Sequence, residues 1–396
     1  MINYQKALGL VLKNAKVLPV QKIKIENALG RITVKDIYSK ISMPAFNKSA
    51  MDGYALKASD VKHIPARLKC VATVGAGENF SKKIKSGECV KIMTGAPVST
   101  GCDAVVMVEH TSQNGSKVEI LKSVKKGRNV CFLGEDFKAG KKIISKATVI
   151  KPQHIGLLVS AGISYVDVIA PKVSVLNTGT EIVPIGKKLP KNTIYNSNGP
   201  MLCSLLENDN IAVNYLGISK DTVSDLKAKI KKGLGGNILI ISGGVSMGDY
   251  DLVPQALKEL GVKQIFHKVC IKPGKPLFFG IKNKTLIFGL PGNPIANFLG
   301  YHLFIKSALL KMSGYKKYIP KFREGVITQD FYKKGTRRQF VLVNITQKSG
   351  KFYLTPLSSR GSADVLSLSK ADGFMSLAES VKSVRKNTTQ KFFIWK

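Results

Sequence analysis

Alternating hydrophobic and polar segments predict a parallel α/β sheet in the second half of the chain. After Pro171, short apolar runs that end in glycines alternate with stretches whose apolar residues recur at helical spacing. The apolar run Ile238 to Ile241 leads directly into a Ser-Gly-Gly sequence. An uninterrupted apolar run is typical of a parallel strand that is covered on both faces. We therefore expect a doubly wound α/β domain with this strand at its centre.

The rest of the chain has a β-rich pattern, apart from two helical stretches. Apolar residues recur at helical spacing from Ile2 to Ala15, and Gln153 to Gly162 indicates a second, short helix. Between Arg67 and about Ile144, short strand-like segments separated by glycine turns predict a small all-β insert. After Pro320, further strand-like segments are joined by Lys-Gly and Ser-Gly turns. This last pattern predicts a small terminal β-domain.

The composition fits a globular protein with an unusually high positive charge. The chain has 396 residues, of which 44% are hydrophobic, and a formal net charge of +37. At about 150 residues per domain, this length predicts two to four domains. The positive excess is almost entirely lysine, is scattered along the chain, and is accompanied by no nucleic-acid-binding pattern. We expect no nucleic-acid partner; a solvated lysine-rich surface explains the charge, and attraction of anionic substrates towards a cleft is the alternative.

Cysteine spacing and the N-terminus indicate a cytoplasmic protein. The six cysteines lie far apart and form no Cys-x-x-Cys pair, so in a chain of this length we expect free, reduced thiols. The N-terminal apolar stretch contains Lys6 and Lys13 and therefore does not resemble a signal peptide. No run approaches the roughly 20 apolar residues of a membrane span. The sequence predicts a soluble protein without a membrane partner.

Candidate chemistry is concentrated in glycine-containing loops at the predicted strand ends. Three such loops, TGTE, SGGVSMGD and LPGNP, follow strands of the same predicted sheet. Exposed backbone N–H groups of such loops can hold a phosphate, and Asp249 and Asp251 add oxygen ligands of the kind that Mg²⁺ prefers. Lys272 and Lys275 flank a Pro-Gly turn and could direct two ammonium groups towards one oxyanion, although both could equally be solvated. We expect a phosphate-handling, metal-assisted site at the carboxyl edge of the sheet.

The stretch Gly244 to Gly248 also satisfies the G-x-S-x-G pattern of serine hydrolases. Its nucleophile would be Ser246, on a turn that must pass directly from strand into helix. Here the helix is expected only near Asp251 to Pro254, which leaves a longer loop. His267 on a predicted strand and His302 on an apolar helix face are poor candidates for the catalytic base. The hydrolase is kept as an alternative function.

Six segments together resemble one enzyme family. The loop-like segment Pro44 to Ala55, PAFNKSAMDGYA, carries one carboxylate, Asp52, which spacing alone would equally assign to an ordinary turn. It is followed by IMTGAPVSTGCDAVVMVE, LNTGTEIV, SGGVSMGDYD, KPGKPLFFG and LPGNP. In this order the segments resemble the molybdopterin molybdenumtransferase family, called MoeA in bacteria and corresponding to the E domain of gephyrin in animals. The first and last segments distinguish it from the related adenylyltransferase of the preceding step, which shares the TGxE and SGG motifs.

The resemblance covers nearly the whole chain and implies four parts. A discontinuous linking domain would comprise residues 1–43 and 145–170, and a β-rich insert domain residues 44–144. A molybdopterin-binding α/β domain would follow at residues 171–318, and a small C-terminal β-barrel at residues 319–396. The family forms an elongated homodimer in which the β-rich insert of one subunit approaches the α/β domain of the other.

The resemblance also implies a reaction and its reactants. Enzymes of the family take adenylylated molybdopterin and molybdate and, with Mg²⁺, release AMP and leave molybdenum on the dithiolene. Molybdopterin adenylyltransferase would be the pathway partner that supplies the substrate. A non-catalytic pterin-binding scaffold, a role that gephyrin partly has, is the second alternative function.

Matching the family motifs residue by residue implies a set of site residues. One departure is Thr180, which stands where the family usually has the aspartate of TGDE. The implied catalytic residues are Asp52, Thr94, Asp136, Glu181, Asp221 and Asp251. The implied metal ligands are Glu181, Asp249 and Asp251. The implied substrate-binding residues are Ser242, Gly243, Gly244, Ser246, Lys272, Lys275, Pro291, Gly292, Asn293, Pro294, Arg337 and Ser362.

Overall fold

The structure is a computed structural model that describes residues 1–245 and 251–395. The chain divides into two compact units. The first comprises Met1–Lys22, Gly30–Val34 and Asp167–Lys396, and the second comprises Ile23–Leu29 and Lys35–Val166. The four-part division implied by the family resemblance stays a prediction.

The helices begin where the sequence provides caps or prolines. The Asn3 side chain accepts a hydrogen bond of 2.8 Å from the backbone N–H of Lys6, which caps the first helix. Pro152, Pro254 and Pro294 each lie in the first turn of a helix, where no backbone N–H is needed. Across the described ranges, every helix is too short or too polar to cross a membrane. The α-helices are α1 Tyr4–Asn14, α2 Pro152–Ser160, α3 Asn198–Asn208, α4 Val223–Gly233, α5 Val253–Glu259, α6 Pro294–Gly300, α7 Lys306–Met312 and α8 Val365–Lys370.

The second unit is built around a six-stranded sheet, as the pattern of short strands and glycine turns predicted. Its strand order is β7-β4-β6-β5-β9-β8, with the bounds given below. Successive residues of β4 point to opposite faces, because Tyr54 and Leu56 belong to one buried cluster and Ala55 to another. The strands of this part of the chain are β1 Gln21–Lys24, β2 Ile37–Tyr38, β3 Lys48–Ser49, β4 Gly53–Leu56, β5 Ala66–Val74, β6 Glu88–Ile92, β7 Ala104–Met107, β8 Thr111–Asn114, β9 Lys117–Ile120, β10 Val130–Cys131, β11 Lys142–Ile144 and β12 Tyr165–Val168.

The first unit contains the predicted α/β sheet. Its strand order is β16-β13-β17-β21-β20-β18, which puts the strand of the Ile238–Ile241 run in the interior of the sheet. Neighbours among β16, β13, β17 and β21 are parallel, whereas β20 and β18 extend the sheet with antiparallel pairing. The strands of this part of the chain, of which β14 and β15 pair only with each other and β19 lies outside the sheet, are β13 Val173–Thr178, β14 Ile182–Val183, β15 Ile194–Tyr195, β16 Val213–Ser219, β17 Ile238–Ser242, β18 Lys263–His267, β19 Ile271–Lys272, β20 Phe278–Lys282 and β21 Thr285–Leu290.

Helices cover both faces of this sheet, so the predicted doubly wound fold is confirmed. Ile238 and Ile240 of β17 pack in a buried cluster with Leu202 and Leu206 of α3. The intervening residues Leu239 and Ile241 pack in a different cluster, which contains α4 and α5 side chains. Because alternate strand residues face opposite sides, this division explains why β17 has an uninterrupted apolar sequence.

The C-terminal strands close into a small barrel, which confirms the predicted terminal β-domain. Its strand order is β24-β25-β22-β28-β26, and a further pairing of β26 with β24 completes the ring. The two-residue strand β19 of the preceding segment adds to β24, with Ile271 opposite Arg338. This pairing fixes the loop after β19 against the barrel. The barrel strands are β22 Arg323–Ile327, β24 Arg338–Lys348, β25 Lys351–Pro356, β26 Gly373–Leu377 and β28 Thr389–Ile394, and the short strands β23 Phe331–Tyr332 and β27 Ser383–Val384 pair with each other in a separate two-stranded sheet.

Candidate active site

Asp221 holds the loop that follows β13. Its Oδ1 accepts a hydrogen bond from the Thr178 hydroxyl, and its Oδ2 accepts one of 2.8 Å from the backbone N–H of Thr180. The exposed Glu181 side chain folds back over Gly179, where an added Cβ would lie 2.6 Å from Glu181 Oε2. The hydrogen bond to Asp221 comes from the backbone N–H of residue 180. It therefore does not depend on whether that residue is threonine, as here, or the aspartate that is usual in the family. The structure therefore brings Asp221 and the TGTE loop together.

Gly243 and Gly244 allow the chain to pass close to β13. Gly243 has a φ of +98°, and a Cβ there would lie only 2.2 Å from the Thr178 carbonyl oxygen. Gly244 has a φ of +62°, which a side chain would also strain. The backbone N–H of Gly243 donates to the Leu290 carbonyl at 3.0 Å, so the expectation that it is exposed to hold a phosphate is wrong. Ser246 and Asp249 of the same loop lie outside the described residues.

A buried amide connects two of the predicted substrate loops. The Asn198 Nδ2 group donates to Ser242 Oγ at 3.1 Å and to the Gly292 carbonyl at 2.6 Å. Its side-chain oxygen is buried and, within the described ranges, has no hydrogen-bond partner. The motif comparison did not include Asn198. Its signal was the Asn-Ser-Asn sequence that leads into α3, which only the fold brings beside the ends of β17 and β21.

Replacing Asn198 with alanine is expected to lower the free energy of unfolding by about 1–3 kcal/mol, because two acceptors lose a buried donor. Denaturation in urea measures this change. Asn208→Ala, at the exposed end of the same helix, is the control and is expected to change stability by less than about 0.5 kcal/mol. Equal stabilities of the two variants would contradict the role of Asn198 as the connection between the loops.

Six of the predicted substrate residues line one cavity of about 550 Å³. The cavity lies between the loops of the α/β sheet and the barrel, within the first unit. The Arg337 Nη1 group donates to the Ile271 carbonyl at 2.9 Å and so lies beside the residue that precedes Lys272. The six residues are Lys272, Lys275, Pro291, Asn293, Arg337 and Ser362.

The lining of this cavity is strongly cationic. Lys272, Lys275, Lys334 and Arg337 contribute to it, and no described carboxylate does. Asn293 and Ser362, two other members of the six, are hydrogen-bonded at its wall, where Asn293 Nδ2 donates to Ser362 Oγ at 2.7 Å. Cationic and hydroxyl donors without a competing carboxylate are suited to an oxyanion. We call this space the oxyanion cavity.

Asp364 holds the loop that carries Ser362. Its carboxylate accepts hydrogen bonds from the Ser367 hydroxyl at 2.6 Å and the Ser367 N–H at 3.0 Å, and from the backbone N–H of Arg360 at 3.0 Å. These bonds, led by that of the Ser367 hydroxyl, lower the pKa of Asp364 to about 2. The carboxylate therefore stays ionised and keeps its acceptor role at neutral pH.

Asp52 and Thr94 form a hydrogen-bonded pair in the second unit. The Asp52 Oδ1 atom accepts from the Thr94 N–H at 2.7 Å and from the Thr94 hydroxyl at 2.8 Å. These two bonds hold the pKa of the exposed Asp52 carboxyl below its ordinary value of 3.8. Asp136 is also exposed; its N–H donates to the Met43 carbonyl, and no hydrogen bond between described residues joins it to this pair.

Thr94→Val is expected to raise the pKa of Asp52 but leave it below 3.8, because the backbone donor, the larger cause, remains. NMR titration of the labelled aspartate carboxyl carbons measures this. Because the folded pKa is the lower one, these bonds stabilise the fold above the unfolded pKa and cease to do so as the pH falls through the folded pKa. Thr111→Val, which removes a hydroxyl bonded to the Val108 carbonyl, is the control. An unchanged Asp52 titration in Thr94→Val would contradict the pairing.

The described residues contain no cluster of three or more His, Cys, Asp or Glu side chains that could hold a metal ion. Glu181 is exposed, and Asp251 is half-buried two residues before α5. Mg²⁺ usually binds through one or two carboxylates together with water and substrate phosphates, so a dedicated protein cage is not required. Glu181 and Asp251 are the right donor types for such a site.

Neither of the two histidines considered as the catalytic base of a serine hydrolase is suited to that role. His267 Nε2 lies 2.8 Å from the Val245 carbonyl oxygen, which engages it in a backbone hydrogen bond. Burial, with a smaller effect of Lys306, lowers the pKa of His302 to about 3. His302 packs against Phe298, with ring centroids 4.6 Å apart, as expected for a core residue. The hydrolase alternative gains no support, and neither does the scaffold alternative.

Comparison with known proteins gives matches along nearly the whole chain. Family models match in order: the MoeA N-terminal region (domains I and II) at residues 2–162, a probable molybdopterin binding domain at 174–311, and the MoeA C-terminal region (domain IV) at 324–393. A molybdopterin molybdenumtransferase of Staphylococcus aureus is 31% identical over 377 residues, which are 94% of this chain and 90% of the relative. One of Staphylococcus epidermidis is 30% identical over 382 residues, covering 95% of this chain and 91% of that protein.

Solved structures give the same result. The crystal structure of a molybdopterin biosynthesis MoeA protein from Pyrococcus horikoshii is 31% identical and has a TM-score of 0.74, with 100% of this chain and 99% of that chain covered. A second structure of a MoeA protein from Pyrococcus horikoshii is 27% identical, has a TM-score of 0.68, and is matched over 100% of both chains. The chain therefore belongs to the MoeA family, the molybdopterin molybdenumtransferases of molybdenum cofactor biosynthesis.

Proposed function

We propose that this chain inserts molybdenum from molybdate into adenylylated molybdopterin in a Mg²⁺-dependent reaction that releases AMP. The observation that carries the proposal is the oxyanion cavity, which gathers three predicted cations, Lys272, Lys275 and Arg337. A tetrahedral dianion such as molybdate matches its charge and its hydrogen-bond donors.

The loops beside this cavity are proposed to hold the pterin and its phosphate. Ser242 and Gly292 are joined through Asn198, and Asn293 of the same LPGNP loop reaches Ser362 at the cavity wall. This continuous set of hydrogen bonds supports binding of one extended substrate along the ends of β17 and β21. Holding pterin and molybdate in neighbouring positions lowers the entropic cost of their reaction.

Carboxylates are proposed to serve the phosphate end of the substrate. Glu181, Asp251 and Asp249 would hold Mg²⁺; Asp249 lies outside the described residues. Bound Mg²⁺ supplies charge neutralisation at the phosphate oxygens. Asp221 acts through the loop that it holds, because both of its oxygens accept hydrogen bonds from Thr178 and Thr180.

We further infer a homodimer in the cytoplasm that receives its substrate from a molybdopterin adenylyltransferase. In the family's dimer, the β-rich insert of one subunit approaches the α/β domain of the other. Such an arrangement would allow Asp52, Thr94 and Asp136 to serve a site on the partner subunit. Sedimentation velocity of the purified chain tests the dimer, and a monomer at micromolar concentration would contradict it.

The reaction itself is tested with purified protein, adenylylated molybdopterin, molybdate and Mg²⁺. We expect AMP, measured by chromatography, to appear together with molybdenum bound to the pterin, measured by mass spectrometry. Omission of molybdate is the control for hydrolysis that is not coupled to insertion. If no AMP is released in the complete mixture, the proposed function is wrong.

A further inference from the structure

Two adjoining cavities lie away from the oxyanion cavity and share none of its lining residues. One has a volume of about 400 Å³ and the other of about 710 Å³. His302, Lys306 and Trp395 line both, so the two cavities are neighbours. Their volumes are in the range of about 300–1,000 Å³ that is typical of small-molecule sites. We call them the aromatic pocket and the lysine pocket.

The aromatic pocket is a largely apolar space with several ring walls. Phe298, Tyr301, His302 and Trp395 line it, and the Phe298 ring lies 4.9 Å from the Trp395 ring. Burial lowers the pKa of His302 to about 3, so its imidazole is neutral at physiological pH. Tyr301 is fully buried, whereas the half-buried Phe298 and Trp395 rings offer apolar and π surfaces to a flat heteroaromatic group.

Among the described residues that line the aromatic pocket, one is a carboxylate, and both of its oxygens already accept hydrogen bonds. Asp209 Oδ1 accepts a hydrogen bond of 2.7 Å from Lys306 Nζ, and its Oδ2 accepts one of 2.7 Å from the Tyr301 hydroxyl. The pair with Lys306 neutralises the charge of both groups. The aromatic pocket is therefore suited to an uncharged ring rather than to a charged one.

The lysine pocket has the opposite character. Lys316, Lys317 and Lys321 line it, and within the described part of the chain their ammonium groups form no hydrogen bond or ion pair. The described residues that line it include no Asp or Glu. Three unpaired cations next to an aromatic pocket attract a group with two or more negative charges.

We propose that these two pockets together bind a nucleoside monophosphate, with the base in the aromatic pocket and the phosphate in the lysine pocket. The occupant must combine a neutral planar ring with an anionic group a short distance away, which a nucleoside monophosphate does. Inorganic phosphate matches only the lysine pocket, and a free nucleoside matches only the aromatic pocket. This site is separate from the proposed reaction site; because AMP is also the proposed product of that reaction, substitutions in the lysine pocket are what distinguish binding here from product binding there.

The position of the chain's one tryptophan makes the proposal directly measurable. Because Trp395 lines both pockets, we expect AMP to change its fluorescence in a saturable way. Ribose 5-phosphate, which lacks the base, is expected to bind about 10-fold more weakly, as the loss of stacking on an aromatic surface predicts. Calorimetry with the same ligands gives a second readout of affinity.

Charge reversal of the lysine pocket provides the variant test. The double variant K316E/K317E is expected to weaken AMP binding by at least about 10-fold. The matched control K348E/K351E makes the same charge change at two exposed lysines, the last residue of β24 and the first of β25, and is expected to bind AMP like the unmodified chain. AMP binding equal in both double variants would overturn the proposal. The absence of both heat and fluorescence change at millimolar AMP would also overturn it, as would phosphate or ribose 5-phosphate binding as tightly as AMP.

Discussion

Lys272→Ala is expected to reduce the rate of molybdenum insertion by about 100-fold, with most of the effect in the KM for molybdate. Lys272 lies on β19, and the pairing of Ile271 with Arg338 attaches this strand to the barrel. The backbone of Lys272 is therefore held in place. Its Nζ lies 3.5 Å from the Lys334 carbonyl oxygen, at the wall of the oxyanion cavity. Removing Lys272 takes away one of the four cations that line this cavity, and the charge of a half-buried lysine is screened less by solvent than that of a fully exposed one.

The experiment needs a lysine control in a chain with this much positive charge. Lys263→Ala removes an exposed lysine at the start of β18, outside the oxyanion cavity, and is expected to leave the KM for molybdate unchanged. Rates are measured over a molybdate series with adenylylated molybdopterin held in excess. If Lys272→Ala lowers the rate equally at all molybdate concentrations, Lys272 does not bind molybdate. If both substitutions change the KM for molybdate equally, Lys272 contributes only to the general electrostatic attraction of molybdate by the positively charged chain.

The sequence was most informative where burial dictates the pattern. The uninterrupted run Ile238 to Ile241 predicted an interior parallel strand, because both faces of β17 are covered by helices. Helical spacing of apolar residues located α1, and Pro254 located α5, to within a few residues of their observed starts. These features depend on local conformation and on solvent exclusion, which act on each segment separately.

The site was harder to predict from the sequence, because its contacts join segments that are distant in the chain. Asn198 reaches Gly292 across 94 positions, and nothing in either segment specifies that pairing. The glycine loop after β17 was expected to offer its N–H groups to a phosphate, but Gly243 donates to Leu290 instead. A Gly-Gly sequence indicates that the backbone approaches something closely. It does not distinguish a ligand from a neighbouring strand.

Asp52→Asn is expected to lower the rate of AMP release by at least about 100-fold, since the substitution removes a carboxylate charge while keeping its shape. The asparagine side-chain oxygen can still accept from the N–H and the hydroxyl of Thr94, so the loop should keep its conformation. Asp60→Asn is the matched control in the same unit, because Asp60 also accepts a backbone hydrogen bond, 2.9 Å from the N–H of Gly87. We expect Asp60→Asn to react at the rate of the unmodified chain. A fully active Asp52→Asn would show that the Asp52 carboxylate only shapes its loop.

Mixing the two impaired variants, at a molybdate concentration at which Lys272→Ala is nearly inactive, tests whether Asp52 serves a site on the partner subunit. Asp52→Asn and Lys272→Ala are combined in equal amounts under conditions that allow subunits to exchange. If each site of the proposed homodimer takes Asp52 from one subunit and Lys272 from the other, half of the dimers are mixed and each mixed dimer has one intact site. Activity should then rise to about a quarter of the unmodified rate, because each mixed dimer also carries one doubly altered site. Activity that stays at the level of the two variants, in a sample that contains mixed dimers, would contradict the shared site and locate both residues' effects within one subunit.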